Sequence, residues 1–391
     1  MSTVTEVPTY ASRICFDADS HLMETFEWLA SFAEPEVRDK LPPLDLASGG
    51  PRAAEAIRQA RARQADPVAT DELERNVIGG PKGWSAFGAF DPGERSRALD
   101  RLGLSAQLVF STFAAVQFMP FEDPVVRYGG ARAHNRGITE FCGNDPRLLA
   151  VAIVPLDDPA RAAVEVDFAL RRGCRAVWVP AAPAGERSPG HPDLDPIWAR
   201  LAEARVPFVV HVGSGTRVLR PAYNHNGRKR PTDWLGGGEN LRFKDFMVIP
   251  FAPQMFLTAL VYDGVFERFP VLKGGAIELG AGWVPEFLSR LDHAGRTFHK
   301  TDPTVRELPL APSEYIRRQV RFTPFPFEDT GALIAAAGDE LFLFSTDYPH
   351  PEGGHDPLGK FEASLDRAEI GEKARDKFYA QNFRDMMSLP G

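Results

Sequence analysis

Short apolar runs recur along this chain at intervals, and between them apolar positions return every three or four residues. The runs are "RICFDADSH" (13–21), "AQLVFST" (106–112), "LLAVAIVPL" (148–156), "RAVWVPA" (175–181), "PFVVHVG" (207–213), "LKGGAIEL" (272–279), "QVRFTPFP" (319–326) and "LFLFSTDYP" (341–349). Most are apolar on successive positions, the pattern of strands buried on both faces, which is the mark of a parallel sheet covered by helices. The stretches "DPARAAVEVDFALRRG" (158–173) and "DPIWARLAEARV" (195–206) are amphipathic. Each opens on Asp-Pro, which suits a capping aspartate with proline at the first helical position. Eight strand–helix units of the α/β class favour a closed (β/α)8 barrel over an open doubly wound sheet. No GxGxxG follows the first strand, which argues against a dinucleotide site.

Two stretches interrupt the alternation. Residues 35–92 and 214–247 follow the first and fifth strands and are rich in proline, glycine and charge. Insertions of that length at strand C-termini are expected to be lids, binding loops or subunit contacts. With no internal repeat or low-complexity linker, residues 1–391 read as one elaborated domain.

Composition then narrows the function. The net charge is −8 and the pI about 5.7, with basic residues scattered, which argues against nucleic acid or an anionic membrane as partner. The sequence shows no apolar stretch near the roughly 20 residues that span a bilayer, and "MSTVTEVPTYAS" lacks the features of a signal peptide. Cys15, Cys142 and Cys174 are far apart and are expected to be buried thiols in a reducing cytoplasm. The expectation is a cytoplasmic protein, with homo-oligomerisation open as for many large barrels.

The first run carries Asp17, Asp19 and His21 at every second position, so on a regular strand all three share one face. Other strand ends also carry ionisable groups: His211 after the fifth, Glu278 after the sixth, and Asp347 with His350 after the eighth. Each alone has an ordinary structural explanation, such as an Asx turn at Asp347 or a helix cap at Glu278. Together they would bring several acids to one barrel mouth, which is costly unless a cation neutralises them.

The motifs "DADSH", "HVG", "LxxxxxELGAGWVPxFLxRLD" (272–292) and "FSTDYPHPEG" together resemble the amidohydrolase-related family of metal-dependent barrels, which includes aminocarboxymuconate-semialdehyde decarboxylase. The resemblance runs from about residue 13 to 380 and is weakest in the two insertions. It implies a (β/α)8 (TIM) barrel with a metal at its mouth. The family's first-strand pattern D-x-H-x-H maps onto Asp17, Asp19 and His21, so Asp19 stands where a ligand histidine would be. The ligand histidine after strand five maps to His211 and the ligand aspartate after strand eight to Asp347. Asp17 is then a supporting residue. Glu278 stands where the family commonly has a histidine, and His350 is an additional imidazole.

Three carboxylates and three imidazoles, Asp19, His21, His211, Glu278, Asp347 and His350, exceed the needs of one zinc ion. Mixed carboxylate and imidazole ligation also suits iron or manganese. The leading reading is therefore a non-haem dinuclear (Fe/Fe or Mn/Fe) monooxygenase that uses O2 and an external reductant to hydroxylate a C–H bond. The resemblance implies a branch of this kind acting on terpenoid acyl thioesters or amino acids. The alternative is a mononuclear hydrolase or decarboxylase, with one zinc, in which Asp347 or Glu278 moves the proton. The third reading is a degenerate, non-catalytic barrel. For substrate, the basic stretch holding Arg217, Arg220, Arg228, Lys229 and Arg230, beside His225 and Trp234, is either an anion-binding loop or a solvated surface. Trp283 is either a pocket wall or a helix-packing residue.

Overall fold

A computed structural model of the chain describes residues 9–46, 49–229 and 242–390. Strands β1 (Phe16–Leu22), β2 (Ala106–Ser111), β3 (Leu148–Ile153), β4 (Ala176–Trp178), β5 (Phe208–His211), β6 (Gly274–Ile277) and β7 (Val320–Phe322) follow the apolar runs. They pair in sequence order and every pairing is parallel. The eighth run is not a regular strand, yet it fills the eighth place. The Leu343 N–H donates to the Phe322 carbonyl of β7 (2.9 Å), and the Ala18 N–H of β1 donates to the Phe344 carbonyl (3.0 Å). Single parallel bridges Phe322–Phe342 and Ser20–Tyr348 complete the closure. The result is the expected (β/α)8 barrel.

Alternate residues of one strand enter different cores. Leu108, Phe110, Val151, Ile153 and Trp178 pack together inside the barrel. Val109, Ala150, Ala152 and Val177 pack outward against the helices. This double burial is why the runs read as continuous apolar stretches rather than alternating ones.

Helix Pro159–Arg171 starts as expected, the Asp158 carboxylate accepting from the N–H groups of Ala160 and Arg161. Asp195 departs from expectation. It is the first residue of helix Asp195–Ala204 rather than its cap, because a short turn (Pro192–Leu194) precedes it. Its carboxylate instead receives Arg268 at 2.8 and 3.0 Å.

The hydropathy reading also needs a correction. Residues Phe243–Tyr262, helices Phe243–Val248 and Phe251–Tyr262, run 20 residues at mean hydropathy 1.3, long and apolar enough to cross a bilayer by those measures. In this fold the second of them packs Phe256, Leu257, Leu260 and Val261 into the outer core. The first insertion is largely helical, with helices Gly50–Gln64 and Pro67–Arg75, and leads into helix Pro92–Leu102 beneath the mouth.

Candidate metal centre

The row at Asp17, Asp19 and His21 does not lie on one face as a regular strand would place it. The β1–β2 register shifts between Asp17 and Ser20, and such an irregularity re-aims the residues that follow. Phe16 and Ala18 belong to the inner core, while Asp17 accepts bonds from Gln107 and Thr346. Past the shift, Asp19 and His21 turn into the mouth.

There they meet residues from three other staves. Asp19 Oδ1 lies 3.3 Å from both His21 Nε2 and His211 Nε2. Glu278 Oε2 is 3.2 Å from His211 Nε2 and 3.8 Å from His21 Nε2. Asp347 Oδ1 is 3.4 Å from His21 Nε2 and 2.9 Å from His350 Nδ1. All six side chains are buried. Their donor atoms form two overlapping groups able to hold a metal ion, Asp19–His21–His211–Glu278 and His21–Glu278–Asp347–His350.

Two of these residues need unusual backbone. Glu278 (φ 54°) and Asp347 (φ 53°) both sit in the left-handed region that non-glycine residues rarely adopt. Such conformations are costly and cluster at functional sites. Here they bend the chain at the ends of β6 and the eighth stave so that the carboxylates face inward. The Glu278 N–H donates to Thr323 Oγ1 (2.8 Å) and the Asp347 N–H to the Asp19 carbonyl (2.8 Å), which hold both turns. Glu278 does not cap the following helix. That helix has no side-chain cap, and Glu328 accepts from the N–H groups of Ala281 and Gly282 in the turn before it.

The ring tautomers follow from the neighbours. His21 Nδ1 faces the Ser111 carbonyl at 3.1 Å and His211 Nδ1 the Val212 carbonyl at 2.9 Å. A carbonyl only accepts, so each Nδ1 carries the hydrogen and each Nε2 points inward. His350 is placed differently, with Nε2 2.9 Å from Thr112 Oγ1 and Nδ1 against Asp347. Burial, then the nearby His21 and His211, drive the His350 imidazole well below its ordinary pKa and keep it neutral. Burial alone would raise Asp19, but His211 and His21 hold it down at about 2. Converging carboxylate oxygens and imidazole nitrogens are hard-to-borderline donors that fit a divalent ion such as manganese, iron or zinc.

A supporting layer surrounds these groups. Asp17 accepts four hydrogen bonds, from the Asp19 N–H, Gln107 Nε2, and the N–H and hydroxyl of Thr346. It thereby ties β1, β2 and the eighth stave together. Burial lifts its carboxyl to about 7 against the pull of those donors. The buried guanidinium of Arg95 donates to the carbonyls of His21 (2.5 Å) and Gly88 (2.8 Å). Glu24 and Trp84 buttress the loop after β2.

Sequence reasoning named the six converging residues and missed Lys82, Thr112, Arg95 and Glu24. Thr112 ends a predicted strand, the same positional signal that found the others. Lys82, in the Gly/Pro-rich "GGPKGW", gave none. Its Nζ stands 5.2 Å over the Tyr348 ring. Burial pulls its ammonium down to about 8, with the charge of Asp347 opposing that fall. The basic stretch after β5 is exposed at Arg217, Arg220, His225, Arg228 and Lys229, while Arg230 and Trp234 lie outside the described residues. Trp283 is a packing residue, its indole donating to the carbonyls of Leu279 and Gly280 and its ring meeting Phe287 and Phe322. The three cysteines are buried and free.

Two cavities open at this end of the barrel. One of about 30 Å³ is lined by Asp19, Glu278, Asp347, Phe325 and Glu352. One of about 450 Å³ lies over the ends of β3, β4 and β5, lined by Met119, Arg127, Leu156, Pro180 and Gly213.

Known proteins share this architecture. An amidohydrolase from Mycobacterium avium subsp. paratuberculosis K-10 is 23% identical and superposes with a TM-score of 0.73 over 96% of this chain and 100% of its own. The 2,6-dihydroxybenzoate decarboxylase from Rhizobium is also 23% identical, with a TM-score of 0.57 over 76% of this chain and 88% of that one. The 5-carboxyvanillate decarboxylase from Novosphingobium aromaticivorans, solved with manganese and 4-hydroxy-3-methoxy-5-nitrobenzoic acid, is 18% identical, with a TM-score of 0.62 over 97% of each chain. The family model described as Amidohydrolase matches residues 16–386. With its barrel closed and its metal-competent residues gathered at the mouth, the chain belongs to the amidohydrolase family.

Proposed function

We propose that this protein is a divalent-metal-dependent, non-oxidative decarboxylase of a hydroxylated aromatic carboxylic acid. The observation that carries this reading is the difference between His350 and the other two imidazoles. His21 and His211 turn Nε2 inward beside Asp19 and Glu278, one complete donor set. His350 differs: its Nε2 is taken by the Thr112 hydroxyl, and its Nδ1 stands 2.9 Å from Asp347 Oδ1. That arrangement suits one ion held by Asp19, His21, His211 and Glu278, next to an Asp347–His350 pair that handles a proton. Two of the three structural relatives described above are decarboxylases of such acids and one was solved with manganese, which shifts the preference from the oxidative reading to the decarboxylating alternative.

A divalent ion in this donor set supplies positive charge that neutralises the carboxylates and orients an anionic substrate. The chain's own groups do the rest. The Lys82 ammonium, over the Tyr348 ring and near Asp347, draws in the substrate carboxylate. Asp347, 7% exposed, gives its proton to the ring carbon as the bond to the carboxylate breaks and CO2 leaves. His350, held at Nε2 by Thr112, keeps the Asp347 carboxyl in place. Water then restores the proton to Asp347. Phe325 narrows the inner cavity and limits competing water.

One observation favours a second reading. The two donor groups share His21 and Glu278, so a pair of ions in an oxidative centre would be held by Asp19, His21, His211, Glu278, Asp347 and His350. His21 has one inward nitrogen and can serve only one of them. The test is turnover of 2,6-dihydroxybenzoate and related acids by the manganese-loaded protein without oxygen. CO2 and the parent phenol should appear in equal amounts. Product that forms only with O2 and a reductant would return the oxidative reading.

A further inference from the structure

Glu24 lies three residues beyond His21 and is 0% exposed. It takes no part in the donor set or in the proton path. Its Oε1 accepts from the Ser111 hydroxyl (2.6 Å) and the Ala114 N–H (3.3 Å). Its Oε2 accepts from the N–H groups of Thr112 (3.1 Å) and Phe113 (3.0 Å). Four donors therefore converge on one side chain, and a carboxylate is the acceptor-only group able to satisfy them all. The first insertion fastens the same residue from behind. Trp84 Nε1 donates to the Glu24 carbonyl (3.0 Å), and the Trp84 ring stacks on Phe113 at 4.9 Å.

The two residues that Glu24 clamps most directly are those that orient imidazoles. The Ser111 carbonyl faces His21 Nδ1 and the Thr112 hydroxyl faces His350 Nε2. These two rings stack on each other at 3.8 Å. We infer that Glu24 is a positioning residue of the metal centre, fixing the loop after β2 so that both histidines keep their tautomer and aim. The inference rests on the reading that the centre holds a divalent ion. It does not depend on which reaction follows. Groups one step behind metal ligands commonly change metal affinity by about 10–100-fold when altered.

Glu24→Gln is the informative variant. Its amide nitrogen can face Ser111, whose hydroxyl turns to accept, while its oxygen still receives Thr112 and Phe113, so the fold is kept and the clamp is loosened. Ser111→Ala removes the hydroxyl that donates to Glu24 while keeping the carbonyl that faces His21, and serves as a second variant should Glu24→Gln fail to fold. The measurement is the Kd for Mn2+ alone, by competition with a fluorescent chelator, together with the EPR spectrum of the bound ion and the melting temperature of the metal-free protein. A positioning role requires Mn2+ affinity to fall about 10-fold or more and the EPR spectrum to change, well below the melting temperature. Glu165→Ala, which destabilises the fold away from the centre, should leave both unchanged and separates positioning from general loosening. Wild-type affinity and spectrum in Glu24→Gln, with only a lowered melting temperature, would overturn the inference. Failure of the wild type itself to bind Mn2+ would instead overturn the metal reading.

Discussion

Two buried polar clusters in this barrel are built on opposite principles. Behind β3, Glu165 receives Arg132 Nε (2.7 Å) and Asn135 Nδ2 (2.8 Å), while the Asn135 amide both accepts from and donates to the backbone of Ile153. There each acceptor meets a donor. At the mouth, three carboxylates and two inward imidazole nitrogens face one another instead. A closed network needs nothing further and stabilises the fold. A set of converging acceptors is complete only with protons or a cation between them. Burial alone therefore does not distinguish structure from function; the balance of donors and acceptors does.

The largest expected effect lies at the mouth. Asp347→Asn should lower kcat by about 10²–10⁴ while the circular dichroism of the protein stays native, because only the proton is removed. Retention of near wild-type kcat would move the proton-transfer role to Glu278. Next comes the contrast itself. Asp19→Asn should abolish tight Mn2+ binding while the metal-free protein keeps a cooperative urea melt. Glu165→Ala should do the reverse, costing about 3 kcal/mol because it strands the buried Asn135 amide and the half-buried Arg132 guanidinium, with Mn2+ affinity unchanged. Urea melts of the metal-free variants and chelator titrations read both sides, and matching behaviour of the two variants would erase the distinction.

A smaller effect is set by pH. Burial holds the His134 imidazole down at about 4, below its ordinary 6.5. The folded protein keeps this ring neutral while the unfolded chain takes up a proton below pH 6.5, so stability should fall as pH drops from 6.5 to 4. His134→Gln should lose about 2–3 kcal/mol less than wild type over that interval. Identical pH profiles would show that the ring is protonated without cost. Smallest is Lys82→Met, which should raise KM for the carboxylic acid about 10-fold with little change in kcat. An unchanged KM would place the substrate carboxylate elsewhere.

Much of this was legible in the sequence because it depends on local pattern. The eight staves show as apolar runs, since burial on both faces leaves no polar alternation. The six converging residues show because a barrel brings strand C-termini together whatever the rest of the chain does. What was not legible depends on contacts between distant segments. The β1 register shift that separates Asp17 from Asp19 comes from pairing with β2. Asp195 is not a cap, and its carboxylate pairs with Arg268, which is 73 residues away. Lys82 and Arg95 reach the centre only because the first insertion folds back beneath it, whereas the basic residues described after β5 stay exposed although their composition promised more. Dinuclear iron was inferred from the number of donors, and number alone could not show that His350 Nε2 is already engaged by Thr112.

The central claim is that the mouth is completed by a cation held by Asp19, His21, His211 and Glu278. Elemental analysis of gently purified protein measures it directly, as metal identity and number per chain. One divalent ion per chain is expected, lost in Asp19→Asn and kept in Glu165→Ala. Two irons per chain would contradict the single-ion centre, and no metal under any loading condition would contradict the claim itself.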